Sequence, residues 1–240
     1  MGAIIVNLEC VTNMHVGNGD VNFNVIDNEV ERDVVTGYPT INSSGVKGAL
    51  REYFSKKNVD AKNISEIFGG NSTGKLKFLG ADMLAMAARA SAGEEAYYLV
   101  STEQALSAYK EKCNLFGLPY SAEKTTRAGT RQAEGFQLKE LVTVLGKEVY
   151  LLPDEEFRKI SLPVLARNKL DNGKSVNLWY EEVVPHKSLF TFAVLAEDAD
   201  GDLLKEFVAV VNNQIIQFGG SASIGYGLCK VTVTEVKSHE

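Results

Sequence analysis

The sequence is short of the residues on which the commonest catalytic and metal-binding schemes depend. Its 240 residues include three histidines (His15, His186, His239), too few and too scattered for a Ser–His–Asp triad or a histidine-rich zinc site. The three cysteines (Cys10, Cys113, Cys229) are odd in number and far apart, so no disulfide framework or metal spacing follows, and reduced thiols in a cytoplasm are expected. No run of about 18 apolar residues exists, so no membrane span is expected. MGAIIVNLEC at the start lacks a basic region and already carries Glu9, which argues against a secretory signal. Positive charge is also lacking. The net charge is −6 and the pI about 5.3, whereas a solitary nucleic-acid binder draws much of its affinity from neutralising phosphates. Phosphate cradles of the standard kinds are missing. Gly220 and Gly225 have the P-loop spacing, but Tyr226 and Gly227 stand where Lys and Ser or Thr are needed, and GNGDVN (17–22) does not fit G-x-G-x-x-G.

What is present describes an ordinary globular chain, 45% hydrophobic and 23% charged, long enough for one large or two small domains. Residues 3–12 (AIIVNLECVT) alternate, with Ile4, Val6, Leu8 and Cys10 on one face and Asn7 and Glu9 on the other, which predicts a half-buried strand. Residues 13–43 lack helical periodicity and carry Gly17, Gly19, Gly37 and Pro39; so long an excursion suggests function. In INSSGVKGALREYF (41–54), Val46, Ala49, Leu50, Tyr53 and Phe54 form an amphipathic stripe, with Ser43 or Ser44 as the natural N-cap. Ser101 and Gln104 make a capping box for a helix over 101–112. Residues 118–136 are polar, with Lys124, Arg127 and Arg131, and read as an exposed arm. A strand at 189–195, a helix over 203–217 ended by Gly219 and Gly220, and a strand at 228–236 close the chain. That order suits an α+β fold of ferredoxin-like (RRM-like) type with long insertions.

Charge is unevenly spread. EDADGD (197–202) holds four acids and no base, whereas 47–57 carries Lys47, Arg51, Lys56 and Lys57 against Glu52 alone. The start of the helix at 43 therefore reads either as a phosphate contact assisted by Lys47 or as an ordinary cap. Asp27 reads as a turn-former. Glu181 and Glu182 read as a metal-binding pair or, more commonly, a solvated strand end. His15, beside a glycine-rich bend, most often makes a structural hydrogen bond.

Several stretches together resemble one family. MHVGNGDVNFNVIDNEVERDVVTGYPTINSSGVKGALR (14–51) is similar to the N-terminal signature of RAMP-superfamily CRISPR proteins, with its I-D-x-x-I-x-R-[DE], T-G-x-P and S-S-x-K-G-x-x-R segments. EIFGG (66–70) resembles the segment that follows, and GGSASIGYGLCKV (219–231) the C-terminal glycine-rich loop. LLPDEEF (151–157) and LPVLARNKLDNGKSVNLWYEEVVPHKSLF (162–190) resemble the repeating backbone subunit of type III-B (Cmr) effector complexes. The resemblance implies a single RAMP domain, a core over 1–117 and 141–240, and a projecting thumb at about 118–140. It implies copies of the chain polymerised along a guide RNA with other Cmr subunits, cleaving complementary single-stranded target RNA in the cytoplasm with a divalent metal, Mg²⁺ or Mn²⁺. Asp27 matches the family's catalytic, metal-holding aspartate, with Glu181 as an accessory group. His15, Ser43, Ser44, Lys47, Arg51, Arg167, Trp179, Gly219 and Gly220 fall where RNA contacts are expected. Val183 stands where many relatives have an aromatic, and His186 where Arg or Ser is common. A non-catalytic guide-binding scaffold of the same fold is the alternative. The type III-A counterpart, a histidine-based guide-processing ribonuclease and a metabolic α+β enzyme are weaker rivals.

Overall fold

In the computed structural model, residues 2–17, 26–70, 72–126, 129–197 and 201–234 are described; Arg127 and His239 lie outside them. Strand β1 (Gly2–Cys10) sits in the middle of a large mixed sheet. It is followed by α1 (Ser43–Lys56), α2 (Ala61–Phe68), β2 (Ala81–Ala92), β3 (Tyr97–Ser101) and α3 (Glu103–Leu115). Then come β4 (Ala122–Thr126), β5 (Glu140–Val144), β6 (Lys147–Leu151), β7 (Val164–Asp171), β8 (Lys174–Glu182) and β9 (Leu189–Ala196). Helix α4 (Gly201–Val211), β10 (Ile215–Gln217) and β11 (Leu228–Thr234) complete the order. Along the sheet the strands run β10-β11-β1-β9-β2-β3-β6-β5-β4. The pairs β11–β1, β1–β9 and β9–β2 are antiparallel, and β3–β6 is parallel.

Both faces of the sheet are covered, and this changes the reading of β1. Ile4, Val6, Leu8 and Cys10 face a core shared with Val46, Leu50 and Phe54 of α1, Phe68 of α2 and Phe207 of α4. Ile5 faces a second core with Leu106, Tyr109 and Cys113 of α3. Even Asn7 is buried, its amide donating to Thr234 Oγ1 at 3.0 Å. The expected half-buried strand is thus a central one with layers on both sides.

Helix α1 follows its predicted stripe, since Val46, Leu50 and Phe54 are fully buried at i, i+4 and i+8. Phe54 stacks on Phe207 (centroids 5.6 Å) and meets Phe68 edge-on at 5.1 Å. The N-cap is Asn42, without a side-chain cap bond; Ser43 and Ser44 are the first two residues of the helix, both exposed. The α3 cap also shifts by one residue. Thr102 Oγ1 accepts from Ala105 N at 3.1 Å, because Ser101 ends β3 and its hydroxyl donates to Leu84 O at 2.6 Å. Helix α4 stops at Val211 rather than running to 217; Asn213 turns left-handed (φ 58°), and Ile215–Gln217 pair with β11.

The described part of 118–140, expected to project, is built into the sheet. β4 pairs with β5 at its edge, and the short strand Gln132–Ala133 pairs with β2. Strands β7 and β8 instead form a separate two-stranded ribbon. Asn172 (φ 48°) and Gly173 (φ 76°) close it, both central residues being left-handed as a type I′ turn requires.

Candidate functional site

The ribbon's last residues, Tyr180 to Glu182, re-enter the body and hold two earlier stretches of chain. Tyr180 O accepts from both Asp27 N (3.1 Å) and Asn28 N (3.2 Å), and Tyr180 N donates to Asp27 Oδ2 at 2.8 Å. Asn28 pairs in parallel with Glu181, and Glu182 N donates to Asn28 O at 2.9 Å. The Glu182 carboxylate accepts from Val30 N (3.0 Å) and from Arg32 Nη2 (2.5 Å). His15 Nδ1 lies 2.7 Å from Glu182 O, and since a carbonyl only accepts, that nitrogen carries the proton. Glu181 and Glu182 are therefore not a solvated strand end. They are 5% and 6% exposed, covered by the 27–32 loop and His15.

Asp27 remains exposed beside this buried group. One of its carboxylate oxygens is fixed by Tyr180 N–H; among the described residues the other has no hydrogen-bond partner. Ile26, Arg32, Arg158, Val164 and Glu182 line a neighbouring cleft of about 650 Å³. Glu181 differs from its neighbour: Oε1 lies 3.9 Å from His15 Nε2, and Oε2 is buried with no hydrogen-bond partner among the described residues.

The glycine-rich loop closes on the same stretch from behind. Gly220 N donates to His15 O at 2.9 Å and Gly227 N to Asn13 O at 2.8 Å. A Cβ on Gly219 would lie 2.3 Å from His15 O, so glycine is required there for the approach itself. Tyr226, between the last glycines, reaches the ribbon: Arg167 Nη1 donates to its hydroxyl at 3.3 Å, and the guanidinium lies 5.4 Å from the ring centroid. Trp179 is paired across the ribbon from Arg167.

A RAMP-superfamily model matches residues 7–230. The chain belongs to the RAMP superfamily. Across its whole length it is 27% identical, over 292 aligned positions and 98% of the relative, to the CRISPR system Cmr endoribonuclease Cmr4 of Pyrococcus furiosus. Among solved structures it resembles a chain of the type III-B Cmr-beta complex bound to cognate target RNA, with TM-score 0.81, 22% identity and 97% of each chain covered. It also resembles oligomeric Cmr4 from Pyrococcus furiosus, with TM-score 0.73, 24% identity, and 99% of this chain and 100% of that one covered.

Within this RAMP fold the sequence-predicted residues divide into two groups. Asp27, His15, Glu181, Arg167, Trp179, Gly219 and Gly220 converge around the ribbon's root. His15 is 8% exposed, with one ring nitrogen already engaged, so it lies inside the group rather than on its surface. Ser43, Ser44, Lys47 and Arg51 form a second group at the start of α1. The first turn there has no acidic residue and no side-chain cap, and Lys47 and Arg51 make no ion pair among the described residues. Residue types alone did not single out Arg32 and Tyr226, and they gave no sign of Glu182's role as a buried anchor. Adjacent acids suggest a wet strand end, and only the fold brings Arg32 to Glu182, 150 positions away.

The donor set limits how a metal can be held. Among the described residues no cluster of three or more His, Cys, Asp or Glu side chains is arranged for one. A single exposed carboxylate with one free oxygen fits a hydrated Mg²⁺, which keeps most of its waters and is shared with phosphate, and does not fit a dedicated protein cage.

Proposed function

We propose that this chain is the backbone subunit of a type III-B RNA-guided complex, and that it cleaves complementary target RNA at Asp27. The observation that carries this reading is the exposed Asp27 carboxylate, pinned by Tyr180 N–H at the root of the ribbon. We take β11-β1-β9-β2 with α1 and α4 as a ferredoxin-like core, and the β7–β8 ribbon as the element that lies against a guide–target duplex. Several copies line one guide in the cytoplasm. In each, Ser43, Ser44, Lys47 and Arg51 meet the guide backbone at the helix start, a contact blind to sequence.

The chemistry asks little of the protein, because RNA carries its own nucleophile. Unstacking one nucleotide can align its 2′-hydroxyl with the adjacent phosphorus, and alignment of this kind lowers a barrier by up to about 7–11 kcal/mol in favourable cases. The ribbon's exposed Val176, Leu178 and Tyr180 offer an apolar surface against which an unstacked base can rest. The free oxygen of Asp27 accepts the 2′-hydroxyl proton or orients it through water. A hydrated divalent ion at Asp27, Mg²⁺ or Mn²⁺, supplies positive charge against the phosphate. Attack by the 2′-oxygen expels the 5′-oxygen, which takes a proton from water, and leaves a 2′,3′-cyclic phosphate and a 5′-hydroxyl.

The test is end-group analysis of target RNA cut by the complex assembled with guide and partner subunits, beside an Asp27→Asn version. Cyclic phosphate ends that vanish in the variant are expected. Intact target retained by the parent complex would select the guide-binding scaffold instead.

A further inference from the structure

Glu182 commits every hydrogen-bonding group it has to the placement of other chain segments. Its N–H donates to Asn28 O, its carbonyl accepts from His15 Nδ1, and its two carboxylate oxygens accept separately from Val30 N and Arg32 Nη2. The residue is 6% exposed. These bonds fix residues 28, 30 and 32, immediately after Asp27, while Tyr180 fixes Asp27 itself. The loop is also tied to its flanks, with Glu31 N donating to Val16 O at 2.7 Å and Glu31 O accepting from Thr40 N at 3.0 Å, but of residues 27–32 Val30 alone belongs to the buried core. Adjacent Glu181 makes no comparable set of bonds among the described residues, where its Oε2 is unpartnered.

We infer that Glu182 is a positioning residue for cleavage, setting the Asp27 carboxylate through the 28–32 loop, with Arg32 as its counter-charge. The inference rests on the assignment of cleavage to Asp27. Charge and shape both matter in this role. A glutamine has one acceptor oxygen, so its amide NH₂ would face either Val30 N–H or the Arg32 guanidinium, donor against donor. Lysine at 32 keeps the positive charge but loses the planar fork. Glutamine at 32 leaves a buried carboxylate without a counter-charge. Glu182 does not touch RNA in this scheme, so its loss should lower the rate of cutting and leave target affinity unchanged.

The experiment uses the complex assembled with guide RNA and partner subunits, under single-turnover conditions across a Mg²⁺ series. It compares the parent with Glu182→Gln, Arg32→Lys, Arg32→Gln, the double Glu182→Gln/Arg32→Gln and Asp27→Asn, and measures target-RNA Kd for each. Hydrogen exchange of the 27–32 amides is followed in the same complexes. Glu182→Gln is expected to cut about tenfold to hundredfold more slowly, the scale of a displaced catalytic group. Its target Kd should stay within about threefold of the parent, and its half-saturating Mg²⁺ should rise, so that added Mg²⁺ recovers part of the rate. Faster exchange at 27–32, a near-parent rate for Arg32→Lys and a double variant no slower than the worse single complete the expectation. A parent rate in Glu182→Gln would overturn the inference. So would a loss of rate and target binding in step with an unchanged Mg²⁺ requirement, because that marks a merely structural residue. If Asp27→Asn still cuts like the parent, the assignment of cleavage to Asp27 falls, and the inference with it.

Discussion

At Gly227, with φ +71°, an added Cβ would lie 1.8 Å from Phe218 O, while at Gly225, with φ +84°, nothing lies within 4 Å. Two glycines of one loop are thus glycine for different reasons, and their alanine variants should separate. Gly225→Ala carries the left-handed strain alone, about 1–2 kcal/mol. Gly227→Ala adds a backbone collision that no rotamer relieves, at the residue whose N–H holds the loop to Asn13 O. In urea melts Gly227→Ala should lose clearly more stability than Gly225→Ala; equal losses would contradict the geometry. Neither role could be read from GGSASIGYGLCKV, because the carbonyls concerned come from packing and not from spacing. Asp27 was likewise legible only through the resemblance of its segment, since by residue type it is a turn-forming aspartate. Glu182 was read as half of a metal-binding pair or, more commonly, as a solvated strand end, and its burial against Val30 and Arg32 was not foreseen, because these partners sit some 150 positions earlier, beyond any local pattern.

Among the elements, what could be read was what depends on periodicity. The stripe Val46, Leu50, Phe54 gave α1 correctly, because a helix buries one face whatever it packs on. Phe54→Ala should cost about 3–5 kcal/mol in a denaturant melt, since it empties a site shared with Phe68 and Phe207. A loss below about 1 kcal/mol would mean that the three rings do not pack as described. Element ends were less legible. Ile215 and Ile216 fit a helix pattern as well as a strand pattern, and pairing with β11 decides for the strand. Caps moved by a residue for a similar reason: Ser101 is recruited by Leu84 O of a neighbouring strand, which leaves Thr102 to cap α3. The β7–β8 hairpin had a local signal, Asn172-Gly173 between alternating runs, that the sequence reading passed over in favour of the polar stretch 118–136. Polarity marks exposure, and the exposed edge strand β4 has it as much as any projecting arm.

For the whole molecule, burial of weak acids sets the alkaline limit of stability. Burial pushes the Tyr109 phenol well up, and a hydrogen bond to Cys229 together with burial pushes the Cys10 thiol up. In each case the unfolded chain releases its proton first. Stability is therefore complete below the unfolded values, about 8.5 for the thiol and about 10 for the phenol, and falls as pH rises above them toward the folded values. Tyr109→Phe should flatten the part of this decline above about pH 10 and leave the part below it unchanged; an unaltered decline above pH 10 would exclude the tyrosine. The net charge of −6 is compatible with the proposed guide contact, because Lys47 and Arg51 are gathered on α1 while the sequence EDADGD (197–202) carries four of the acids. Cleavage belongs to the assembled complex, and one measurement reaches it most directly. End-labelled complementary RNA is incubated with the guide-loaded complex, with and without Mg²⁺, beside the same complex carrying Asp27→Asn. A ladder of evenly spaced cuts that needs Mg²⁺ and disappears in the variant, while target binding persists, is the predicted result. The same ladder from the Asp27→Asn complex would contradict the account.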